Sequence, residues 1–228
     1  MPSTTAGVKD ILAELESLGD EKRRQFNAKV GPDGIAGVPP GKQFGCKTGD
    51  IRKLAKKIKT DHELGQKLFK TGNMDAQMVA ILVMKPKELS TQQLDTMVRE
   101  ATFAWAADWL QSYVIKEQPD DEKEKLREKW MKKGEKDPWA ARAGWHLTAS
   151  MINQGKHDLD VDALLDRIEK EMPKARPETK WTMNNTLGAI GIKHAKHRKR
   201  AVAIGEKIGL YKDWPMSTGC VIPYVPVW

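Results

Sequence analysis

A chain of 228 residues with 39 Lys and Arg against 31 Asp and Glu carries a formal charge of +8 and has room for a substantial core, as one large domain or an array of repeats. The surplus favours an anionic partner, nucleic acid first, although a basic protein with no polyanion partner has the same composition. Two distant cysteines, Cys46 and Cys220, exclude a disulfide framework and a zinc-finger pattern, and no apolar run approaches the roughly 18 residues of a membrane span. Met1 to Thr5 lacks the charged-then-apolar pattern of a secretory leader, so the expected compartment is the cytoplasm, or the nucleoid within it.

Helical periodicity dominates the chain. Val8, Ile11, Leu12, Leu15 and Leu18 fit one amphipathic helix, and a second is expected from about 21 to 30, giving an N-terminal hairpin over 5–30. Pro and Gly then break the pattern, so 31–47 reads as a loop. Beyond it, helices are expected at about 48–59, 62–70, 74–85, 90–100, 103–117, 120–133, 138–154, 160–171, 176–191 and 197–208. Asp61, Ser90, Asp120 and Asp160 are the expected N-caps.

These helices pair into antiparallel hairpins of a size that stacks into a solenoid, although no motif recurs at a fixed period and a compact all-helical bundle stays open. The expected organisation is a single domain over 1–208, with repeats at about 48–208. Residues 209–228, rich in Pro, Gly and aromatics, are expected as an irregular tail packed on the helices.

Charge is unevenly placed. From Thr179 to Gly205 there is no acidic residue, while Lys180, Lys193, Lys196, Arg198, Lys199 and Arg200 accumulate, as suits a phosphate backbone; a solvated helix end is the plainer reading. A second basic stretch runs from Lys42 to Lys59, with Arg52 and Lys56 four apart on a helix. Residues 117–136 mix both signs evenly and read as a solvated face. His194 and His197 have no third ligand at a suitable spacing, so no metal is expected, nor any other cofactor.

The sharpest feature is Trp105, Asp108 and Trp109, three and four residues apart and so on one helical face. Indole faces attract cations, and a carboxylate beside them opposes positive charge directly. Such a wall suits a cationic ligand or a transition state that gains positive charge. Each Trp, with Trp139 and Trp145, equally fits a packed interface. Asp108 amid Ala and Trp calls for a cation, and Arg142 is the candidate.

Taken in order, Phe44–Ile58, His62–Gly72, the Trp-and-Asp helix and Trp139-x-x-Arg142-Ala-Gly resemble the AlkD-like family of DNA alkylation repair proteins, the HEAT-like repeat DNA glycosylases, over about residues 41–205. The resemblance implies an all-α fold, a right-handed α-α superhelix of HEAT-like repeats, holding duplex DNA in a cationic concave face. It implies release of N3- or N7-alkylpurines by hydrolysis of the N-glycosidic bond, without a base-flipping pocket. Asp108 matches the aspartate at the lesion's deoxyribose, and Arg142 matches an arginine that contacts the DNA near it.

The family places a Trp four residues before the aspartate, where this chain has Ala104 and carries Trp105 instead. A later Trp and Arg of the family fall on Asn185 and Gly188. The expected catalytic residues are therefore Asp108 with Trp105 and Trp109. The expected DNA contacts are Arg142, Trp139, Lys180, Asn185, Lys193, Lys196, Arg198, Lys199, Arg200, Arg52 and Lys56. The expected partner is duplex DNA, alkylated or distorted, bound by a monomer. The alternatives are a non-catalytic protein for distorted or branched DNA, and a helical scaffold for an acidic protein.

Overall fold

The computed structural model describes residues 7–101, 103–155, 159–215 and 219–228; residues 5–6 of the expected N-terminal hairpin, Thr102 and tail residues 216–218 lie outside them. Among the described residues the chain is all-α, with twelve α-helices and no strand. It divides into two compact units, one of residues 1–31 and 36–123, the other of 32–35 and 124–228.

The first unit begins with α1 (Val8–Ser17) and α2 (Glu21–Asn27). Ile11 and Leu15, four apart, are the buried face of α1, and Asp20 caps α2 by accepting from the Arg23 amide at 2.8 Å. Next come α3 (Thr48–Ile58), α4 (His62–Phe69), α5 (Met74–Val83), α6 (Thr91–Glu100) and α7 (Ala104–Tyr113). Asp61 caps α4 through the Leu64 amide at 3.0 Å, and Ser90 forms a capping box with Gln93 at the start of α6. The helix expected to continue to 117 ends at Tyr113, and a separate 3-10 turn covers Ile115–Glu117.

α5 is the core of this unit, with Met74, Ala76, Met78, Val79, Ala80, Ile81 and Val83 all buried. A helix apolar on all sides must be surrounded, and α1, α3, α4 and α7 supply the neighbours. Its buried Asp75 organises the loop expected at 31–47. Oδ2 accepts from the amides of Phe44 at 2.6 Å and Gly45 at 3.2 Å, and Oδ1 from Cys46 at 3.3 Å. Burial raises the Asp75 pKa above the usual carboxylate value, and the three amides oppose that rise. Buried Gln43 ties the same loop down, donating to the Val38 carbonyl at 2.7 Å and accepting from Asn27 at 2.9 Å.

α8 (Asp120–Trp130) starts in the first unit and ends in the second; Asp120 is its first helical residue rather than the residue that caps it. The second unit continues with α9 (Pro138–Asn153), α10 (Val161–Glu171), α11 (Pro177–Lys193) and α12 (Ala195–Ile208). Asp137 caps α9 through the amides of Trp139 and Ala140, and Asp160 caps α10 through Ala163. Met183, Leu187 and Ile190 of α11 form the centre of a core shared with Trp145 and Ile152 of α9 and Leu165 and Ile168 of α10. The tail is irregular as expected, with Val225 buried.

Candidate nucleic-acid interface

On α7, Ala106, Ala107 and Leu110 turn inward, which leaves Trp105, Asp108 and Trp109 on the other side. Trp105 is 40% exposed, and Asp108 and Trp109 are half-buried. Both indoles already hold a cation from the same unit. The Arg52 guanidinium lies 4.5 Å from the Trp109 ring centre, and its Nη2 donates to the Tyr113 hydroxyl at 2.8 Å. Arg23 lies 5.6 Å from the Trp105 ring, which also meets Phe103 edge-on at 5.4 Å. An arginine stacked on an aromatic face keeps outward N–H groups for a phosphate, and its geometry is fixed in advance. Lys56, one turn from Arg52, is exposed, whereas neighbouring Lys53 and Lys57 are engaged with Asp50 and Glu14.

In the second unit the basic residues separate into two kinds. Arg200 is not a bare surface cation, because it pairs with Asp162 at 3.2 Å and with Asp166, both on α10. The hydrogen bond that Arg200 donates to Asp166, with Asp162 adding to it, raises the Arg200 pKa. His197 reaches the same Asp162 at 3.4 Å, and that contact lowers the Asp162 pKa. Arg198 donates from Nε to the Gly191 carbonyl at 2.8 Å and from Nη2 to that of Ile192 at 3.2 Å. It therefore covers the last carbonyls of α11 and retains its whole charge against neutral acceptors. Lys193, Lys196 and Lys199 are exposed and form no ion pair among the described residues.

Arg142, an expected DNA contact and the candidate cation for Asp108, is placed in the interior. It is only 3% exposed, and Nη1 donates to the Glu178 carbonyl at 3.1 Å. It lies in a seam joining α9 to α11, where Thr179 Oγ1 donates to the Pro138 carbonyl and Thr186 Oγ1 to that of Trp145. Trp139 and Lys180 are half-buried, as is Asn185. Over Gly188 lies the indole of Trp228: a Cβ at 188 would come 2.7 Å from its Cε3.

The charge pattern of 117–136 concealed one further element. Lys132, Lys133 and Lys136 line a cleft of about 910 Å³ in the second unit together with Lys170, Lys174 and Arg176, the acids Glu135, Asp166 and Glu171, and the buried Trp130, Trp145 and Met183. Arg167 covers the Trp145 ring at 5.2 Å. Sequence spacing carries no trace of this cleft, because its two groups of lysines lie more than thirty residues apart.

The Cys46 thiol is withdrawn from chemistry, whereas Cys220 is exposed. Cys46 is buried with Sγ on the Leu15 carbonyl, and burial, then Asp75, pushes its pKa to about 12. Among the described residues no group of three or more His, Cys, Asp or Glu is arranged to hold a metal ion, and no helix is long and apolar enough to cross a membrane.

The fold is similar to that of a solved structure described as one of "a new family of proteins related to the HEAT-like repeat DNA glycosylases with affinity for branched DNA structures". The TM-score is 0.72 at 23% identity, over 97% of this chain and 91% of that one. The architecture is therefore the HEAT-like helical-repeat fold, which settles the choice against an unrelated compact bundle. The sequence profile of the DNA alkylation repair enzyme family matches residues 11–210, and the chain belongs to that family. It is also similar to uncharacterized proteins of Listeria innocua, 24% identical, and Listeria monocytogenes, 23% identical, in each case over 79% of both chains.

Proposed function

We propose that this protein binds DNA through its phosphate backbone and favours branched or distorted duplex over linear duplex. The observation that carries the reading is the set Lys193, Lys196 and Lys199: three exposed lysines without ion-pair partners among the described residues, in a stretch free of acids from Thr179 to Gly205. Charges already paired within the protein release few counterions on binding, whereas bare lysines release them in full. In the first unit, Arg52 and Lys56 offer a second contact.

Preference for branched DNA is favoured by how the aromatic site is filled. Arg52 and Arg23 occupy the indole faces that a cationic alkylpurine would need, Arg142 is buried, and α11 has Asn185 and Gly188 where the resemblance calls for Trp and Arg. The similar solved structure is described by affinity for branched DNA, which agrees with this reading. A gel-shift titration with a four-way junction and a linear duplex tests it: the junction is expected to shift at lower protein concentration, and equal shifts would refute the preference.

One observation favours a second reading, DNA glycosylase activity. Asp108 is half-buried on the same face of α7 as the exposed Trp105, at the position that the resemblance assigns to the aspartate at the lesion's deoxyribose. There it would stabilise positive charge on the sugar as the N-glycosidic bond breaks, the electron pair leaving with the base and a water oxygen bonding to C1′ as the water loses a proton to solvent. Release of 7-methylguanine from duplex DNA by the wild type, abolished in Asp108→Asn, would establish it. Equal release by both would remove Asp108 from the chemistry.

A further inference from the structure

Positions 181, 185 and 188 of α11, four and three residues apart, share one face of the helix. At the first, Trp181 forms a ring cluster with Tyr211 at 5.6 Å and Trp214 at 5.5 Å. At the second, Asn185 is half-buried, and its side-chain amide makes no hydrogen bond among the described residues. At the third, Gly188 has no side chain, and the tail supplies one in its place.

The Trp228 indole rests on that bare Cα, its Cε3 and Cζ3 at 2.7 and 3.1 Å from where a Cβ would stand. The tail is anchored to bring it there. Asn184 Nδ2 donates to the Pro223 carbonyl at 2.8 Å, Val225 is buried, and Pro226 seats on Gly205 of α12, where a Cβ would come 2.9 Å from its Cδ. Even so anchored, Trp228 stays 43% exposed. An aromatic residue held in place by two glycines and a buried hydrogen bond, yet partly exposed, is a platform with room for a partner.

We infer that this face of α11 is a stacking site for an unpaired nucleobase, an inference that rests on the DNA-binding reading above and names the feature of branched DNA that the protein grips. Trp228 takes the π-face of the base. Asn185, whose amide can both donate and accept, meets its hydrogen-bonding edge. The two aromatic ends are about 10 Å apart along the helix, roughly three base steps. Lys180 beside Trp181 and Lys193 at the helix end supply positive charge for the flanking phosphates, with no acid in this stretch to oppose them. Base stacking on an exposed ring tolerates any base, which suits recognition of branch points rather than of sequence.

The test measures binding of the full chain to two labelled duplexes, one fully paired and one with a single-base bulge. Trp228→Ala is expected to weaken binding to the bulged duplex by about tenfold or more and to change binding to the paired duplex by less than about twofold. Trp228→Phe should retain most of the preference. Gly188→Val, which displaces the indole without altering it, should reproduce the selective loss, with circular dichroism confirming helix content in each variant. Equal weakening on both duplexes, or none, overturns the stacking site while leaving DNA binding intact. A wild type that binds neither duplex overturns the functional reading and this inference with it.

Discussion

Replacing Lys193, Lys196 and Lys199 together by Gln removes three exposed charges from the corner between α11 and α12 and touches no ion pair among the described residues. Each lysine that neutralises one phosphate contributes about −0.9 to the slope of log affinity against log salt, so the triple variant should flatten that slope by about 2.7. Between about 50 and 200 mM salt, wild-type affinity should then fall roughly forty-fold more than that of the variant. Fluorescence anisotropy with a labelled duplex across that range reads the slope directly. Arg200→Gln is the internal control. Its guanidinium is held by Asp162 and Asp166, so its loss should leave the slope nearly unchanged. A triple variant with the wild-type slope, or an Arg200 variant that flattens it as much as a lysine does, would refute the division into engaged and available cations.

Asp75→Asn leaves one oxygen to serve three amides, with the new amide nitrogen facing at least one donor; a loss of about 1–3 kcal/mol is expected in urea unfolding. Because burial raises the native Asp75 pKa above 3.8, its contribution is largest below that value and declines as pH rises through the native one. The gap between wild type and variant should therefore narrow from acid to neutral pH, and a widening gap would contradict the assignment. Asp162, lowered by His197 and then Arg200, should titrate by NMR with a midpoint below 3.8, moving back up in Arg200→Gln; a midpoint at or above 3.8 in the wild type would show that the clasp between α10 and α12 does not form.

Much of the fold was legible because it is written locally. Apolar residues at helical spacing placed all ten helices after Thr48, and Asp61, Ser90 and Asp160 cap as expected because a cap reaches only three residues ahead. Asp120 misled because Pro119 precedes it and the helix begins one residue earlier than a capping aspartate would allow. The roles of charged residues were less legible, since their partners come from elsewhere in the chain. Arg200 looked like a phosphate contact until Asp162 and Asp166, more than thirty residues away, met it on α10. Spacing offers Arg142 as a DNA contact and as the cation for Asp108, and only the α9–α11 seam shows that it satisfies a buried carbonyl. Likewise Gly188 read as the loss of a side chain, and the ring that covers it comes from forty residues on.

The most direct test of DNA-structure recognition is a competition in which a labelled four-way junction, bound to the full chain, is challenged with unlabelled linear duplex of equal base-pair content at one salt concentration. Linear duplex is predicted to displace the junction only at about tenfold excess or more. Displacement at equal concentration, or no binding of the junction at all, would contradict the account.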